Sequence, residues 1–286
     1  MKLLITGGKG MLGRTLVRHW QGTHTLCVAD LPEVDVLDQP KLTALFADFR
    51  PNVVIHCVAM TQVDACESDR TKAYLLNETA AGNVARAAHA IGARTIAIST
   101  DYVFAGDQPG ERSEADAPAP KTVYGASKLA GEEAVLRADP NALILRIAWL
   151  YGAGGPSFIH TMYRLAQENP TRTLQVVDDQ FGNPTSTDAV ADAITAFLAR
   201  PDLSGRFHVT CEGTTSWFGL AKAFFSETGF TQVDLRPCTT ADFPRPAPRP
   251  AYSALSKAKL RAAGLPPMPT WQEALQRFCA TEWPHP

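Results

Sequence analysis

The sequence has little of what marks membrane, nucleic-acid-binding or secreted proteins. Its longest apolar runs are strand-sized, whereas a membrane helix needs about 20 apolar residues, and Met1-Lys2 leads into the first apolar run without a signal peptide. The formal net charge is −2 and the basic residues are scattered, so no surface for nucleic acid is indicated. We therefore expect a cytoplasmic protein that binds neither membranes nor nucleic acid.

Cysteine is sparse, and its spacing fits neither a disulfide framework nor a metal site. The six cysteines lie far apart and form no C-x-x-C pair, so we expect free thiols in a reducing compartment. The seven histidines show no paired spacing either, and we predict no bound metal ion. The cysteines are Cys27, Cys57, Cys66, Cys211, Cys238 and Cys279.

A glycine-rich turn near the start of the chain contains a Gly-Lys pair, which raises the question of a triphosphate-binding loop. Such a loop needs a glycine five residues before Gly8-Lys9 and a Ser or Thr directly after the lysine. Leu3 and Gly10 occupy those two positions. The sequence therefore excludes a P-loop.

The same turn fits a dinucleotide site. The glycines follow an apolar run, residues 3–5, and precede Leu16-Val17 at helical spacing, so the order is strand, glycine turn, helix. The first glycine permits a tight turn, the second lets the backbone approach a pyrophosphate at the helix N-terminus, and the third lets the helix lie close to the sheet. The predicted cofactor-binding residues of this turn are Gly7, Gly10, Met11, Leu12 and Gly13.

Short apolar runs alternate with Ala- and Leu-rich helical stretches through the first half of the chain. This alternation is typical of a parallel sheet with helices on both faces. We predict an α/β fold, a Rossmann-type doubly wound sheet, with a dinucleotide-binding domain that also carries the catalytic residues over 1–149. We predict a smaller mixed substrate-binding lobe over 150–286, some segments of which return to the sheet. The predicted strands are Leu3–Thr6, Thr25–Ala29, Val53–Val58, Thr95–Ser99 and Leu143–Ile147.

Asp30 lies about twenty residues beyond the glycine turn, where an acidic side chain would accept hydrogen bonds from the adenosine ribose. A carboxylate at this place repels a 2′-phosphate, and no Lys or Arg occurs between Asp30 and Lys41 to bind one. We therefore expect NADPH or NADH as the cofactor, with a small preference for NADH. The alternative is that Asp30 is only a turn residue before Leu31-Pro32.

Tyr124 and Lys128 are four residues apart in a predicted helix, so their side chains share one face. A free tyrosine titrates near 10, and a neighbouring ammonium would make its phenol a better acid. Tyr124 would then protonate a carbonyl oxygen during hydride transfer, while Thr100 donates a hydrogen bond to the same oxygen. Taken alone, the pair could be a surface tyrosine and a solvated lysine. The glycine turn and the hydroxyl at the end of the preceding strand favour the catalytic interpretation.

At these motifs the chain resembles the extended short-chain dehydrogenases/reductases, and the resemblance extends almost from end to end. The stretches that carry it are "TGGKGMLG", "AMTQVDACE", "LLNETAAGNVARAA", "STDYVFAG", "VYGASKLAGE", "LRIAWLYG", "DDQFGNPT" and "RPAPRPAYSAL". The resemblance implies Thr100, Tyr124 and Lys128 as a catalytic triad, with Lys128 also holding the nicotinamide ribose. It further implies cofactor contacts at Asp30, Asp35, Val36 and Ala59, and substrate contacts at Val63, Thr100, Asp101, Tyr102, Trp149, Arg245 and Arg249.

The resemblance implies reduction of the C4 ketone of a nucleotide-linked 4-keto-6-deoxyhexose, with the dTDP-linked precursor of L-rhamnose as the first candidate. One alternative is a C4 reductase for another nucleotide deoxysugar, with different stereochemistry. Another is a non-catalytic regulatory subunit similar to that of methionine adenosyltransferase. A homodimer is compatible with the sequence but is not required by it. The chain departs from the family pattern at His56, Cys57, Val58, Thr122, Ser157 and Tyr252, several of which are expected on the substrate side.

The stretch "FPRPAPRPAYSAL" allows two interpretations. It could be a plain linker. It could also present Arg245 and Arg249 to a diphosphate, because prolines fix the backbone and guanidinium groups form paired hydrogen bonds with phosphate oxygens.

Overall fold

The computed structural model describes residues 1–169 and 171–283. Twelve strands are present in this part of the chain. They are β1 (Lys2–Thr6), β2 (Thr25–Ala29), β3 (Val53–His56), β4 (Arg94–Thr100), β5 (Leu143–Ile147), β6 (Leu150–Tyr151), β7 (Thr173–Val177), β8 (Phe181–Gly182), β9 (Thr185–Ser186), β10 (Gly205–His208), β11 (Thr215–Ser216) and β12 (Asp234–Cys238).

Eleven α-helices connect and cover these strands in the described residues. They are α1 (Met11–Trp20), α2 (Gln39–Phe49), α3 (Val63–Ser68), α4 (Arg70–Tyr74), α5 (Ala80–Ala90), α6 (Val123–Ala138), α7 (Phe158–Glu168), α8 (Thr187–Leu198), α9 (Trp217–Thr228), α10 (Ala258–Ala262) and α11 (Trp271–Glu282). None of the described helices has both the length and the apolar composition that a membrane crossing requires.

The main sheet confirms the predicted doubly wound architecture. Its six strands are all parallel and lie in the order β10-β5-β4-β3-β1-β2. The strand order reverses between β1 and β3, and ligands of such sheets bind outside the carboxyl ends of the strands at this point. The glycine turn after β1, the loop after β3 and Thr100 at the end of β4 therefore meet at one edge.

Alternate residues of the central strands supply two apolar cores. Leu3 and Ile5 pack on the face covered by α1 and α8, whereas Leu4 and Val54 pack on the face covered by α2 and α5. All four side chains are fully buried, and each contributes roughly 1.5–3 kcal/mol by leaving water.

The region after β5 both extends the sheet and builds the C-terminal lobe. β10 pairs with β5 at the edge of the main sheet. The lobe itself contains three two-stranded pairings, β6 with β9, β7 with β12 and β8 with β11. The division at residue 149 stays a prediction.

Candidate active site

The glycine turn packs so closely that side chains are excluded at two of its positions. Gly7 has a φ of +72°, and a Cβ there would lie 2.9 Å from the Val58 nitrogen. A Cβ on Gly13 would lie 2.3 Å from the Gly7 carbonyl oxygen. The first turn of α1 is thereby pressed against the loop at the carboxyl end of β1.

The N-terminus of α1 is open to an anion. Gly10 is the N-cap residue, no side chain caps the helix, and the first turn carries no acidic residue. The amides at the start of the helix, including those of Met11 and Leu12, therefore point their positive ends toward the crevice, where a pyrophosphate would fit.

Asp30 bridges the end of β2 and the glycine turn. One carboxylate oxygen accepts a hydrogen bond from the Lys9 backbone N–H at 2.8 Å, and the other accepts one from Leu31 at 2.9 Å. The Lys9 ammonium donates to the Leu31 carbonyl at 2.6 Å and contacts Glu33 at 2.9 Å. No Lys or Arg follows Asp30 before Lys41, but the glycine turn brings Lys9, 21 residues earlier in the chain, beside Asp30.

The other predicted cofactor residues lie on the loops beside this edge. Asp35 and Val36 are in the loop after β2, and the Asn83 side chain donates to the Val36 carbonyl at 3.3 Å. Ala59 follows β3, and Val63, which was predicted to contact the substrate, is the first residue of α3. Their contacts to a ligand stay predictions.

Thr100 and Tyr124 meet at the carboxyl end of β4. Thr122 caps α6 by accepting a hydrogen bond from Gly125, which fixes the turn that carries Tyr124. Burial raises the pKa of Tyr124 well above its usual value, and the neighbouring Thr100 hydroxyl acts in the opposite direction. Desolvation therefore dominates the pKa of Tyr124, and Lys128 is not among the groups that lower it in the free protein.

Lys128 is buried below this pair and donates a hydrogen bond to the Ile98 carbonyl at 2.7 Å. Burial lowers the pKa of Lys128 to about 8, while Glu132 one helical turn later and Cys57 raise it. Burial, and to a smaller extent the Lys128 ammonium, lowers the pKa of His56, which is one of the departures from the family pattern. Lys128 therefore remains a partly desolvated cation on the same helix face as Tyr124.

Sequence reasoning assigned no role to Asn77, which connects three elements of the site. It lies in a π-helical turn, Leu75–Thr79, where its amide donates to the Met60 carbonyl at 3.1 Å and to the Ser127 hydroxyl at 2.9 Å. The Met60 N–H donates back to the Asn77 carbonyl at 2.8 Å. Asn77 thus joins the loop after β3 to the residue before Lys128. Asn77 stands out in the structure because it lies in a π-helical turn, which the sequence does not reveal.

Asp101 and Tyr102 follow Thr100 in a short 3₁₀ turn. Asp101 is 3% exposed, and one of its oxygens lies 2.9 Å from the Thr100 hydroxyl. The Tyr102 ring contacts the Tyr124 ring edge to face at 5.4 Å and also lines a cavity formed mainly by residues after β5. These two residues connect the predicted catalytic centre with the cavity.

That cavity has a volume of about 640 Å³ and lies mainly within the C-terminal lobe. On one wall Trp149 stacks on Trp217 with ring centroids 3.6 Å apart, and the Trp149 indole donates to Ser253 at 3.1 Å. Trp149 has a φ of 48°, a strained value for a bulky residue, and such strain is concentrated at functional sites. The apolar residues on α7 that line the cavity are Phe158, Met162 and Leu165.

The two arginines of the proline-rich segment have different environments. Both line the cavity, but Arg249 is held by Asp64 on α3 through two hydrogen bonds of 2.9 Å, and it also donates to the Ala247 carbonyl. Arg245 is exposed, and no acidic group in residues 1–169 or 171–283 forms an ion pair with it. The segment is therefore folded against α3 rather than being a free linker.

A doubly wound sheet with this glycine turn, a hydroxyl at the end of β4 and a Tyr-Lys pair on the following helix defines the extended short-chain dehydrogenase/reductase class. Within that class, the family model described as "RmlD substrate binding domain" matches residues 1–282, and the chain belongs to this family.

Named relatives are similar over almost the whole chain. The dTDP-4-dehydrorhamnose reductase of Mycobacterium tuberculosis is 42% identical, covering 96% of this chain and 91% of its own. A probable dTDP-4,6-dihydroxy-2-methyloxan-3-one 4-ketoreductase of Streptomyces antibioticus is 40% identical, covering 96% and 94%. The crystal structure of dTDP-4-dehydrorhamnose reductase from Bacillus anthracis in complex with NADP has a TM-score of 0.94 at 37% identity, covering 98% and 99%.

Proposed function

We propose that this chain is a nicotinamide-dependent reductase of the C4 ketone of a nucleotide-linked 4-keto-6-deoxyhexose, converting dTDP-4-dehydrorhamnose to dTDP-L-rhamnose. The observation that carries the proposal is the arrangement of Thr100 and Tyr124 beside Tyr102, which lines a cavity of about 640 Å³. Relatives that cover nine tenths or more of both chains, and whose names specify this kind of reduction, support it.

The crevice at the carboxyl edge of the sheet fits a dinucleotide. The uncapped N-terminus of α1 would hold the pyrophosphate, and Asp30 would face the adenosine ribose. At Gly7 and Gly13 a side chain would clash with neighbouring backbone atoms. Glycine at both positions therefore allows the close packing of this turn. When bound, the cofactor supplies the hydride, and the residues of this chain supply orientation and the proton.

Tyr124 donates its phenol proton to the oxygen at C4 as negative charge develops there. Thr100 donates a hydrogen bond to the same oxygen and so stabilises that charge before the proton arrives. Lys128 holds the nicotinamide ribose and keeps a positive charge near the phenolate that forms. Because burial raises the pKa of free Tyr124, this nearby charge favours the product state of the proton transfer.

The cavity would hold the sugar nucleotide, with most of its lining supplied by residues 150–286. The Trp149 ring would lie against the sugar, near Tyr102 and Val63. The apolar face of α7 offers Phe158 and Met162 to the base. The exposed guanidinium of Arg245 would meet the diphosphate, because Asp64 already occupies Arg249.

We further propose that the enzyme accepts both NADPH and NADH. Asp30 supports binding of the ribose hydroxyls of NADH. The Lys9 ammonium is half-exposed beside Asp30 and forms an ion pair with the exposed side chain of Glu33. A 2′-phosphate can compete with the Glu33 carboxylate for this ammonium. The small preference for NADH expected from Asp30 alone is thereby offset.

The Streptomyces relative favours a second candidate, a 4-ketoreductase for a different dTDP-deoxysugar. Incubation of the purified protein with NADPH and dTDP-4-keto-6-deoxyglucose, with and without a 3,5-epimerase, separates the two. We expect turnover only with the epimerase and dTDP-L-rhamnose as the product. Another product would favour the second candidate. No cofactor oxidation with either substrate would contradict a reductase and favour a regulatory subunit.

A further inference from the structure

The Thr100 hydroxyl has one hydrogen but more than one neighbouring group that could accept it. A hydroxyl offers one hydrogen and two lone pairs. The Tyr102 N–H donates to the Thr100 oxygen at 3.3 Å and takes one lone pair. Asp101 lies 2.9 Å away, and Tyr124 is close enough for its pKa to be affected. An ionised Asp101 can only accept hydrogen bonds. The Thr100 hydroxyl must then donate its hydrogen to the carboxylate and cannot donate it to a reacting oxygen.

The surroundings of Asp101 favour the neutral acid. Its side chain is almost fully buried, and its Oδ2 atom accepts no hydrogen bond from the described residues. A buried carboxylate that lacks a cation and leaves one oxygen without a hydrogen-bond partner is costly. No positive group in the described part of the chain lowers the pKa of Asp101. Burial raises that pKa to about 6, and the neighbouring Thr100 and Ser253 hydroxyls act in the opposite direction.

We propose that Asp101 is a positioning residue that works as a carboxylic acid, donating its proton as a hydrogen bond to Thr100 and thereby leaving the Thr100 hydrogen for the C4 oxygen of the substrate. When Asp101 is ionised, Thr100 donates its hydrogen to the Asp101 carboxylate instead of to the C4 oxygen. This inference rests on the proposed function, because it assumes that Thr100 contacts the reacting oxygen.

The other titratable groups around Asp101 do not change charge in the same pH range. Tyr102 from its own turn and Tyr124 from α6 face it, and burial raises the pKa of both phenols well above the usual value. Lys128, whose pKa is lowered to about 8, would cause a separate loss of activity at higher pH. A fall in kcat that begins near pH 6 is therefore assigned to Asp101.

The test compares the pH dependence of kcat for wild type, Asp101→Asn and Thr100→Val at saturating cofactor. Asn keeps the shape of Asp, cannot ionise and can donate to Thr100. We expect wild-type kcat to fall about tenfold per pH unit above the pKa of Asp101, and the Asn variant to change less than about threefold between pH 6 and 8. Thr100→Val should be slow at every pH and should lack the fall. An Asn variant that binds cofactor but keeps the wild-type profile, or is inactive at all pH values, would overturn the proposal.

A second measurement does not depend on turnover, so it separates this inference from the proposed function. The infrared difference spectrum of wild type between pH 5 and pH 8 should contain the C=O band of one protonated carboxyl group that moves in Thr100→Val and is absent in Asp101→Asn. No such band, or a band that Thr100→Val leaves in place, would contradict the role of Asp101 even if the wild-type enzyme is an active reductase. Inactive wild type with this band would contradict only the proposed function.

Discussion

Arg249 and Asp64 face each other through two parallel hydrogen bonds of 2.9 Å, although 185 residues separate them in the chain. The Arg249 hydrogen bonds, followed by burial acting the other way, hold the pKa of Asp64 below its usual value. A guanidinium that is already paired with a carboxylate has little left to offer a diphosphate. The pair fixes the proline-rich segment on α3 and leaves Arg245 at the cavity.

Replacing Arg245 with Ala should weaken binding of dTDP by about ten- to a hundredfold, because one charge-assisted contact worth roughly 1.5–3 kcal/mol is lost. Arg249→Ala should weaken it less and should lower thermal stability, since Asp64 loses its partner. Titrations of both variants with dTDP, and with NADH as a control, check this. Unchanged dTDP affinity in Arg245→Ala together with a large loss in Arg249→Ala would reverse the two roles.

Lys9→Ala should lower affinity for NADPH by roughly tenfold and leave NADH nearly unchanged, because only NADPH carries a phosphate for the ammonium. Glu33→Gln is the matched variant: it removes the competing carboxylate and should improve NADPH binding. Fluorescence titrations with NADPH and with NADH give the ratio of the two affinities for each variant. If neither substitution moves the ratio of the two affinities, Lys9 does not face the 2′-phosphate.

The pH dependence of turnover should include a loss on the alkaline side that comes from Lys128. Burial lowers the pKa of this lysine to about 8, so the ammonium is present below that pH and is lost as pH rises through it. We expect kcat to fall with rising pH through this range, and Lys128→Met to be slow at all pH values. A wild-type kcat that stays constant up to pH 10 would show that the charge on Lys128 is not needed.

Glu132 anchors α6, the helix that carries Tyr124 and Lys128. Its buried carboxylate accepts hydrogen bonds from Ser99 at 2.5 Å, from Arg146 at 2.8 and 2.7 Å and from Arg206 at 2.8 Å. Removing one member of such a buried network leaves unpaired charges.

Glu132→Ala should therefore reduce the free energy of unfolding by about 3–5 kcal/mol. The neighbouring Glu133 is 54% exposed, and its loss should cost less than about 1 kcal/mol. Urea unfolding of both variants gives the comparison. Equal, small effects would show that the buried network does not hold the helix.

The order of elements could be read from the sequence because local patterns determine it. Strands buried on both faces give continuous apolar runs, and four of the five predicted strands agree with the structure to within one residue. β3 ends at His56, two residues before the predicted end at Val58. The short strands β6, β8, β9 and β11 have two residues each, too few for any periodicity.

The predicted triad came from two short motifs, one that contains Thr100 and one that contains Tyr124 and Lys128. Two other groups of interacting residues join distant segments of the chain and were not predicted. Lys9 reaches Leu31 and Glu33 through a tight turn, and Asp64 reaches Arg249 through tertiary packing. A search for basic residues along the chain after Asp30 misses the first, and charge patterns within one helix miss the second. Only the folded arrangement shows which charges neutralise each other.

The transfer of a deuterium atom from the cofactor to the sugar tests the proposed reduction most directly. Wild type is incubated with NADPH that carries deuterium at both hydrogen positions of nicotinamide C4 and with dTDP-4-dehydrorhamnose, and the product is analysed by NMR. We predict deuterium at C4 of the sugar, one per NADPH oxidised, and a Tyr124→Phe variant that binds NADPH normally but turns over about two to four orders of magnitude more slowly. Product without deuterium at C4, or Tyr124→Phe at more than about a tenth of the wild-type rate, would contradict hydride transfer with Tyr124 as the proton donor.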